Sequence, residues 1–276
     1  MSESCNGNCS ACGSTDCGSR KAESLLAELN PKANVKKVFA VMSGKGGVGK
    51  STVTSLLAVA MAKQGKRVGI LDADITGPSI PTAFSVSRCE NATEDGILPA
   101  VSEGGIQVMS INLLLDNTTD PVVWRGPVIA GAVKQFWTDV IWQDVDCLLV
   151  DMPPGTGDVP LTVFQSLPVD GVIIVTTPQD LVSMIVSKAV NMANLMDIPV
   201  LGFVENYSYL TCPDCGKKVF VFGQSHIDQV AASFDLPVLG KLPIDPGLAA
   251  LYDAGKIESA DTSCVDSVLP AILEKM

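Results

Sequence analysis

The sequence predicts an α/β fold, a mostly parallel sheet with helices on both faces. Three observations carry this. Short apolar runs recur along the chain, helical stretches alternate with them, and the first run ends in a glycine-rich segment leading straight into a helix. Of the 276 residues 47% are apolar, enough for the core of one large domain.

The first run, 38–42, reads Val-Phe-Ala-Val-Met, a strand buried on both faces. A helix follows over 50–64, with Gly65 placed to end it, and a second strand at 68–71 completes a βαβ unit. Further buried strands are predicted at 107–111, 147–150, 172–176, 200–204 and 238–242. Helical stretches near 127–141, 180–196, 225–233 and 265–274 fall between or after them. A short helix-like stretch, 21–29, precedes the first strand, and 87–103 and 207–218 read as loop excursions. Residues 1–19 have too little apolar content to pack a core, so they form a cysteine-rich segment separate from one domain over 20–276.

The charge balance, 19 Lys+Arg against 30 Asp+Glu, gives a formal charge of −11. A field of that sign repels phosphate backbones and anionic lipid, which argues against nucleic acid and membrane as partners. No apolar run reaches the length of about 18 residues that a spanning helix needs, and the N-terminus does not read as a secretion signal. A cytoplasmic location is expected. The nine cysteines then point to metal ligation or burial rather than to disulfides.

Gly44-Lys45-Gly46-Gly47-Val48-Gly49-Lys50-Ser51-Thr52 stands between a predicted strand and a predicted helix. That is the setting of a P-loop, whose backbone N–H groups curl around phosphates at a helix N-terminus. ATP and Mg²⁺ are the implied ligands, with Lys50 on the β- and γ-phosphates and Ser51 on the metal. Lys45 is a second cation that an ordinary P-loop does not require. Asp72 and Asp74 follow one predicted strand, and Asp151 ends another. Neighbouring parallel strands open at their carboxyl ends into one crevice, so the three carboxylates converge on the nucleotide's metal, Asp151 as the Walker-B residue.

Cys212 and Cys215 lie in a Cys-Pro-Asp-Cys run that reads as half of a zinc ribbon. The missing half argues for a site shared between two chains. Cys5, Cys9, Cys12 and Cys17 place four thiols in one short segment, enough for a complete iron–sulfur or zinc site. Cys89, Cys147 and Cys264 have no near neighbour; Cys147 reads as a small buried residue. His226, the single histidine, reads as a surface or capping residue, and Trp124, Trp137 and Trp142 as packing residues.

Taken together, Lys45 in Gly-Lys-Gly-Gly-Val-Gly-Lys-Ser-Thr, the run at 72–81, Trp-Arg-Gly-Pro at 124–127, the run at 151–158 and the Cys212/Cys215 pair resemble the Mrp/ApbC family of iron–sulfur cluster carrier ATPases. That family belongs to the deviant-Walker P-loop proteins, with MinD, ParA and the nitrogenase iron protein. The resemblance runs from about residue 38 to about residue 256.

It implies that Lys45 contacts phosphates of the partner subunit's nucleotide, that Asp74 orients the attacking water with Asp72 near the metal, and that Asp151 and Gly155 form the switch that senses the γ-phosphate. It places Asn206 near the adenine base. It further implies a homodimer whose Cys212 and Cys215 pairs together hold a labile 4Fe–4S cluster for apo-protein recipients. Some eukaryotic members carry a four-cysteine N-terminal extension that binds a 4Fe–4S cluster. Their first spacing is much longer than that of Cys5 and Cys9, so both iron–sulfur and zinc stay open for this segment. A MinD/ParA-like spatial regulator is the alternative function, but it needs a basic C-terminal helix or DNA-binding face that this acidic chain does not show.

Overall fold

The computed structural model describes residues 25–75, 77–87, 92–115, 126–179 and 182–276. In chain order the strands are β1 (Val38–Ser43), β2 (Val68–Asp72), β3 (Ala92–Thr93), β4 (Gly96–Ile97), β5 (Ala100–Val101), β6 (Gln107–Met109), β7 (Cys147–Asp151), β8 (Gly171–Thr176), β9 (Val200–Thr211), β10 (Lys218–Val219) and β11 (Val238–Pro243). The helices are α1 (Lys50–Lys63), α2 (Ile80–Ala83), α3 (Gly126–Thr138), α4 (Asp158–Ser166), α5 (Val182–Leu195), α6 (Ile227–Ser233), α7 (Pro246–Asp253) and α8 (Leu269–Leu273).

One sheet organises the fold, in the order β10-β9-β8-β1-β7-β2-β6-β5, with β11 pairing β9 on its other side. Every pairing among β6, β2, β7, β1, β8, β9 and β11 is parallel, whereas β5 and β10 run antiparallel to their neighbours. The apolar runs explain the arrangement. In β1, Val38, Ala40 and Met42 enter one core cluster while Phe39 and Val41 enter the other, so the strand is covered on both faces. Trp137 and Trp142 pack in the first cluster, and Cys147 is fully buried in β7 within the second. Burial pushes the Cys147 thiol upward, as befits a small hydrophobe.

Some elements differ from the sequence reading. The described part of the 21–29 stretch is not helical: Ala27 N–H donates to the Ser166 carbonyl and the Ala27 carbonyl accepts from Trp137 Nε1, so tertiary bonds to α4 and α3 take the place of helical ones. The stretch 207–218 is no loop, because β9 continues to Thr211 and pairs with β10 as a hairpin, Thr211 against Lys218. The 87–103 stretch holds the β3–β4 hairpin and β5. The last predicted helix shrinks to Leu269–Leu273 behind a 3₁₀ turn at Ser263–Val265. Helices α4 and α7 escaped the sequence reading. For α7 the signal is Asp245-Pro246: the Asp245 carboxylate accepts from the amides of Gly247 (2.8 Å) and Leu248 (3.1 Å), with proline in the first turn. No helix among the described residues is long and apolar enough to cross a membrane.

Candidate nucleotide site and thiol hairpin

β1 ends at Ser43 and α1 begins at Lys50, so the P-loop turns over the carboxyl edge of the sheet with Gly49 as the residue before the helix. Gly49 has φ 75°, and a Cβ there would stand 2.2 Å from Asn206 Nδ2. At Gly44 a Cβ would stand 1.9 Å from the Ile185 side chain of α5. Only glycine lets the loop lie this close to β9 and α5. A cleft of about 270 Å³ opens over the loop, lined by its residues 46–52 together with Ser43, Asp74, Ser79, Pro154, Tyr207 and Tyr252. A larger cavity of about 860 Å³, between residues 84–87, 98–103 and 254–259, contains none of the P-loop or strand-end carboxylates.

Asp151, fully buried at the end of β7, is the hub of the site. Its Oδ2 lies 2.7 Å from Lys50 Nζ and accepts from Ser51 Oγ at 2.6 Å, while its Oδ1 accepts from Thr54 Oγ1 at 2.7 Å. A carboxylate buried this deeply needs such partners, because an uncompensated charge costs several kcal/mol. Asp72 stands beside it, in register on the adjacent strand, and accepts from Ser110 Oγ (3.1 Å) and the Asp74 amide (3.2 Å). Burial first, and then the Asp151 charge, push the Asp72 carboxyl up to about 8. A divalent cation would relieve that repulsion, so paired carboxylates beside the Ser51 hydroxyl fit Mg²⁺.

The residues expected to act as switches lie at the same edge. Asp74 lines the cleft, and the Gly155 amide donates to the Ser43 carbonyl at 2.8 Å, fixing the segment after β7 to the end of β1. Lys45 is half-buried, and its ammonium donates to Gln179, in the segment after β8. Asn206 stands behind the loop, its Nδ2 donating to the Val48 carbonyl at 3.0 Å.

Thr54, Ser79, Ser110, Tyr207 and Tyr252 escaped the sequence reading. Thr54 alone had a signal, since it lies one helical turn beyond Lys50. Tyr252 reaches in from α7 and shares a hydrogen bond with Ser79 Oγ at 2.9 Å. Burial pushes its hydroxyl upward.

Cys212 and Cys215 form the tip of the β9–β10 hairpin, Cys212 half-buried and Cys215 exposed. The tip is closed by the Cys212 amide on the Lys217 carbonyl and the Gly216 amide on the Cys212 carbonyl, both 2.9 Å. The backbone amides of Cys215 and then Asp214 hold the Cys212 thiol below its usual range. Amides aimed at sulfur favour thiolate, the form that binds metal. Among the described residues no three His, Cys, Asp or Glu side chains gather as a metal site. The return arm exposes Val219, Phe220, Val221 and Phe222. His226 is exposed and occupies the N-cap position of α6 without a side-chain capping bond, and Cys264 is half-buried. Cys5, Cys9, Cys12, Cys17, Cys89, Trp124 and Arg125 lie outside the described residues.

A family model described as "ParA: NUBPL iron-transfer P-loop NTPase" matches residues 34–276. The chain belongs to this family. Relatives near it in sequence include the iron-sulfur cluster carrier protein of Clostridium perfringens, 45% identical over 91% of this chain and 94% of that protein. The protein of the same name from Methanocaldococcus jannaschii is 45% identical over 91% of this chain and 89% of that one. In structure, the family assignment agrees with a nucleotide-binding protein from Archaeoglobus fulgidus in complex with ADP, at TM-score 0.73 and 44% identity, covering 82% of this chain and 89% of that one. The septum site-determining protein MinD of Pyrococcus horikoshii, complexed with Mg-ADP, superposes at TM-score 0.58 over 86% of this chain and 94% of that one. At 20% identity it attests the fold alone. The family match extends beyond the span of about 38–256 that the motifs suggested, to the C-terminal residue.

Proposed function

We propose that the chain is an ATP-hydrolysing carrier in which the Cys212 and Cys215 pairs of two subunits hold a 4Fe–4S cluster and pass it to apo-proteins. The observation that carries this is the thiol hairpin: two accessible sulfurs, one held toward thiolate by backbone amides, with no third ligand gathered beside them among the described residues. A cluster of this type takes four thiolates, so a second copy of the hairpin supplies the rest. Two copies related by a two-fold axis present the same patch to each other, and the apolar 219–222 arm beside each thiol pair gives that interface something to bury. The names of the relatives support the cargo.

In the nucleotide site, Lys50 meets the β- and γ-phosphates, and the P-loop amides cradle them at the α1 N-terminus. Mg²⁺, held by Ser51 with Asp151 and Asp72 behind it, would neutralise charge on the phosphate oxygens. Asp74 orients the water that attacks the γ-phosphate, giving ADP and phosphate. Gly155 lets the segment after β7 follow that phosphate. Lys45 leaves Gln179 to contact the nucleotide of the partner subunit. Residues 1–19 form a separable segment whose four cysteines hold a second metal site.

Anaerobic reconstitution of the full chain tests the carrier reading. With Cys5, Cys9, Cys12 and Cys17 replaced by Ser, we expect about four iron and four sulfide per dimer. Adding Cys212→Ala and Cys215→Ala should abolish that content while ATP hydrolysis persists. Full iron content in the variant lacking all six thiols, or a cluster on a monomer, refutes the bridging site.

A further inference from the structure

Three consecutive residues of β9 grip two different parts of the molecule. Glu205 is fully buried. Its Oε2 accepts from Ser208 Oγ at 2.5 Å, and its Oε1 accepts from Ser225, which stands where the chain returns from the thiol hairpin to α6. Ser225 Oγ in turn accepts the Ile227 amide at 3.0 Å, so one hydroxyl ties the return arm both to β9 and to the first residue of α6. The next residue, Asn206, donates to the Val48 carbonyl of the P-loop at 3.0 Å, and its Oδ1 accepts the Tyr207 amide at 3.0 Å. Tyr207 holds φ 58°, and its hydroxyl lies 2.9 Å from the point where a Cβ on Gly49 would stand.

Neither feature is needed merely to complete a strand. A side chain as large as tyrosine is strained in the left-handed region, and that conformation persists only where the surroundings impose it. A buried carboxylate requires hydrogen bonds that an apolar residue at the same place would not. Both sit at the point where β9 leaves the P-loop and runs on to Cys212. The Asn206–Val48 bond leaves the P-loop and β9 little freedom to move apart, and the Glu205–Ser225 bond joins the returning arm to the same strand. A shift of the loop on nucleotide binding therefore reaches both arms of the hairpin.

We infer that Glu205 is a positioning residue that couples the P-loop to the thiol hairpin, so that nucleotide binding changes the exposure of Cys212 and Cys215. This rests on the nucleotide reading above and would connect it to the carrier reading. The return arm moves with β9 as long as Ser225 donates to Glu205; without that bond the arm follows α6 instead.

The test uses the full chain, reduced and free of iron, alkylated with iodoacetamide with and without a non-hydrolysable Mg-ATP analogue. Mass spectrometry of the peptide spanning 212–215 separates these thiols from the other cysteines, and titration with a fluorescent ADP analogue measures nucleotide affinity independently. In the wild type, nucleotide should change the alkylation rate about fivefold or more, the lower end of ordinary site-to-site coupling. In Ser225→Ala the response should fall below about twofold with nucleotide affinity intact, since Ser225 does not line the cleft, and Ser225→Thr should restore it. Glu205→Ala, which removes both acceptor oxygens, should behave like Ser225→Ala; if it fails to fold, the Ser225 pair still decides. A Ser225→Ala protein that keeps the full response, or a wild type that binds nucleotide without any change in labelling, overturns the inference. A wild type that binds no nucleotide overturns the ATP reading as well. If labelling responds as described but reconstitution gives no iron, the coupling stands and the carrier reading fails.

Discussion

Replacing Thr54 by Val probes the hub of the nucleotide site without changing its shape. Thr54 is fully buried on α1 and is nearly isosteric with valine. Its hydroxyl carries one proton and has two acceptors in reach, Asp151 Oδ1 at 2.7 Å and the Lys50 carbonyl at 3.0 Å. The shorter contact and the charged acceptor favour Asp151. Losing a hydrogen bond to a buried charge costs about 1.5–3 kcal/mol, and the added methyl returns less than about 1 kcal/mol. The net loss should be about 1–2 kcal/mol, a fall in Tm of roughly 2–8 °C for a domain of this size. Catalysis should suffer too, because Asp151 keeps Lys50 and Ser51 on Oδ2 but loses its orienter on Oδ1. If about 1.4 kcal/mol of that loss appears in the transition state, kcat falls about tenfold with KM little changed. Urea unfolding and steady-state phosphate release measure both. Stability within about 0.5 kcal/mol of wild type together with an unchanged kcat would refute the claim that Thr54 orients Asp151.

Gly49→Ala should abolish binding of a fluorescent nucleotide, because its Cβ would fall 2.2 Å from Asn206 Nδ2, whereas Gly47→Ala, with nothing within 4 Å, should bear only the left-handed backbone penalty of about 1–2 kcal/mol. A carboxyl held near 8 in the folded chain and near 4 when unfolded binds more protons in the native state, so its contribution to stability falls as pH rises through that window. In EDTA, the Tm of wild type minus that of Asp72→Asn should therefore decrease from about pH 5 to about pH 8; a flat difference would mean Asp72 is ionised throughout.

How much was legible beforehand follows from the reach of each interaction. The P-loop strand and α1 were readable because a buried strand, a glycine turn and a helix are consecutive in sequence and each obeys local rules. Asp72 and Asp151 were readable because parallel strands end at one edge, and their register on β2 and β7 places them side by side. The Cys212 and Cys215 pair was legible as an incomplete ligand set, but its seat on a hairpin was not. The segment from Tyr207 onward looked like a loop until β10 paired with β9, a contact decided by residues on both sides of the turn.

Composition, period and short spacing were enough for the α/β class, the phosphate loop, the acidic strand ends and the close pair of thiols. It took the packed chain to show that Thr54 and Ser110 hold the carboxylates, that Tyr252 reaches the cleft from α7, and that Asn206 bonds the P-loop while the neighbouring Glu205 bonds Ser225 on the return arm. Those partners lie between 20 and 173 residues apart in the chain, and apart from Thr54's place one turn after Lys50 no local pattern marks them. They meet because burying both faces of one sheet leaves each polar side chain few places to find a hydrogen bond.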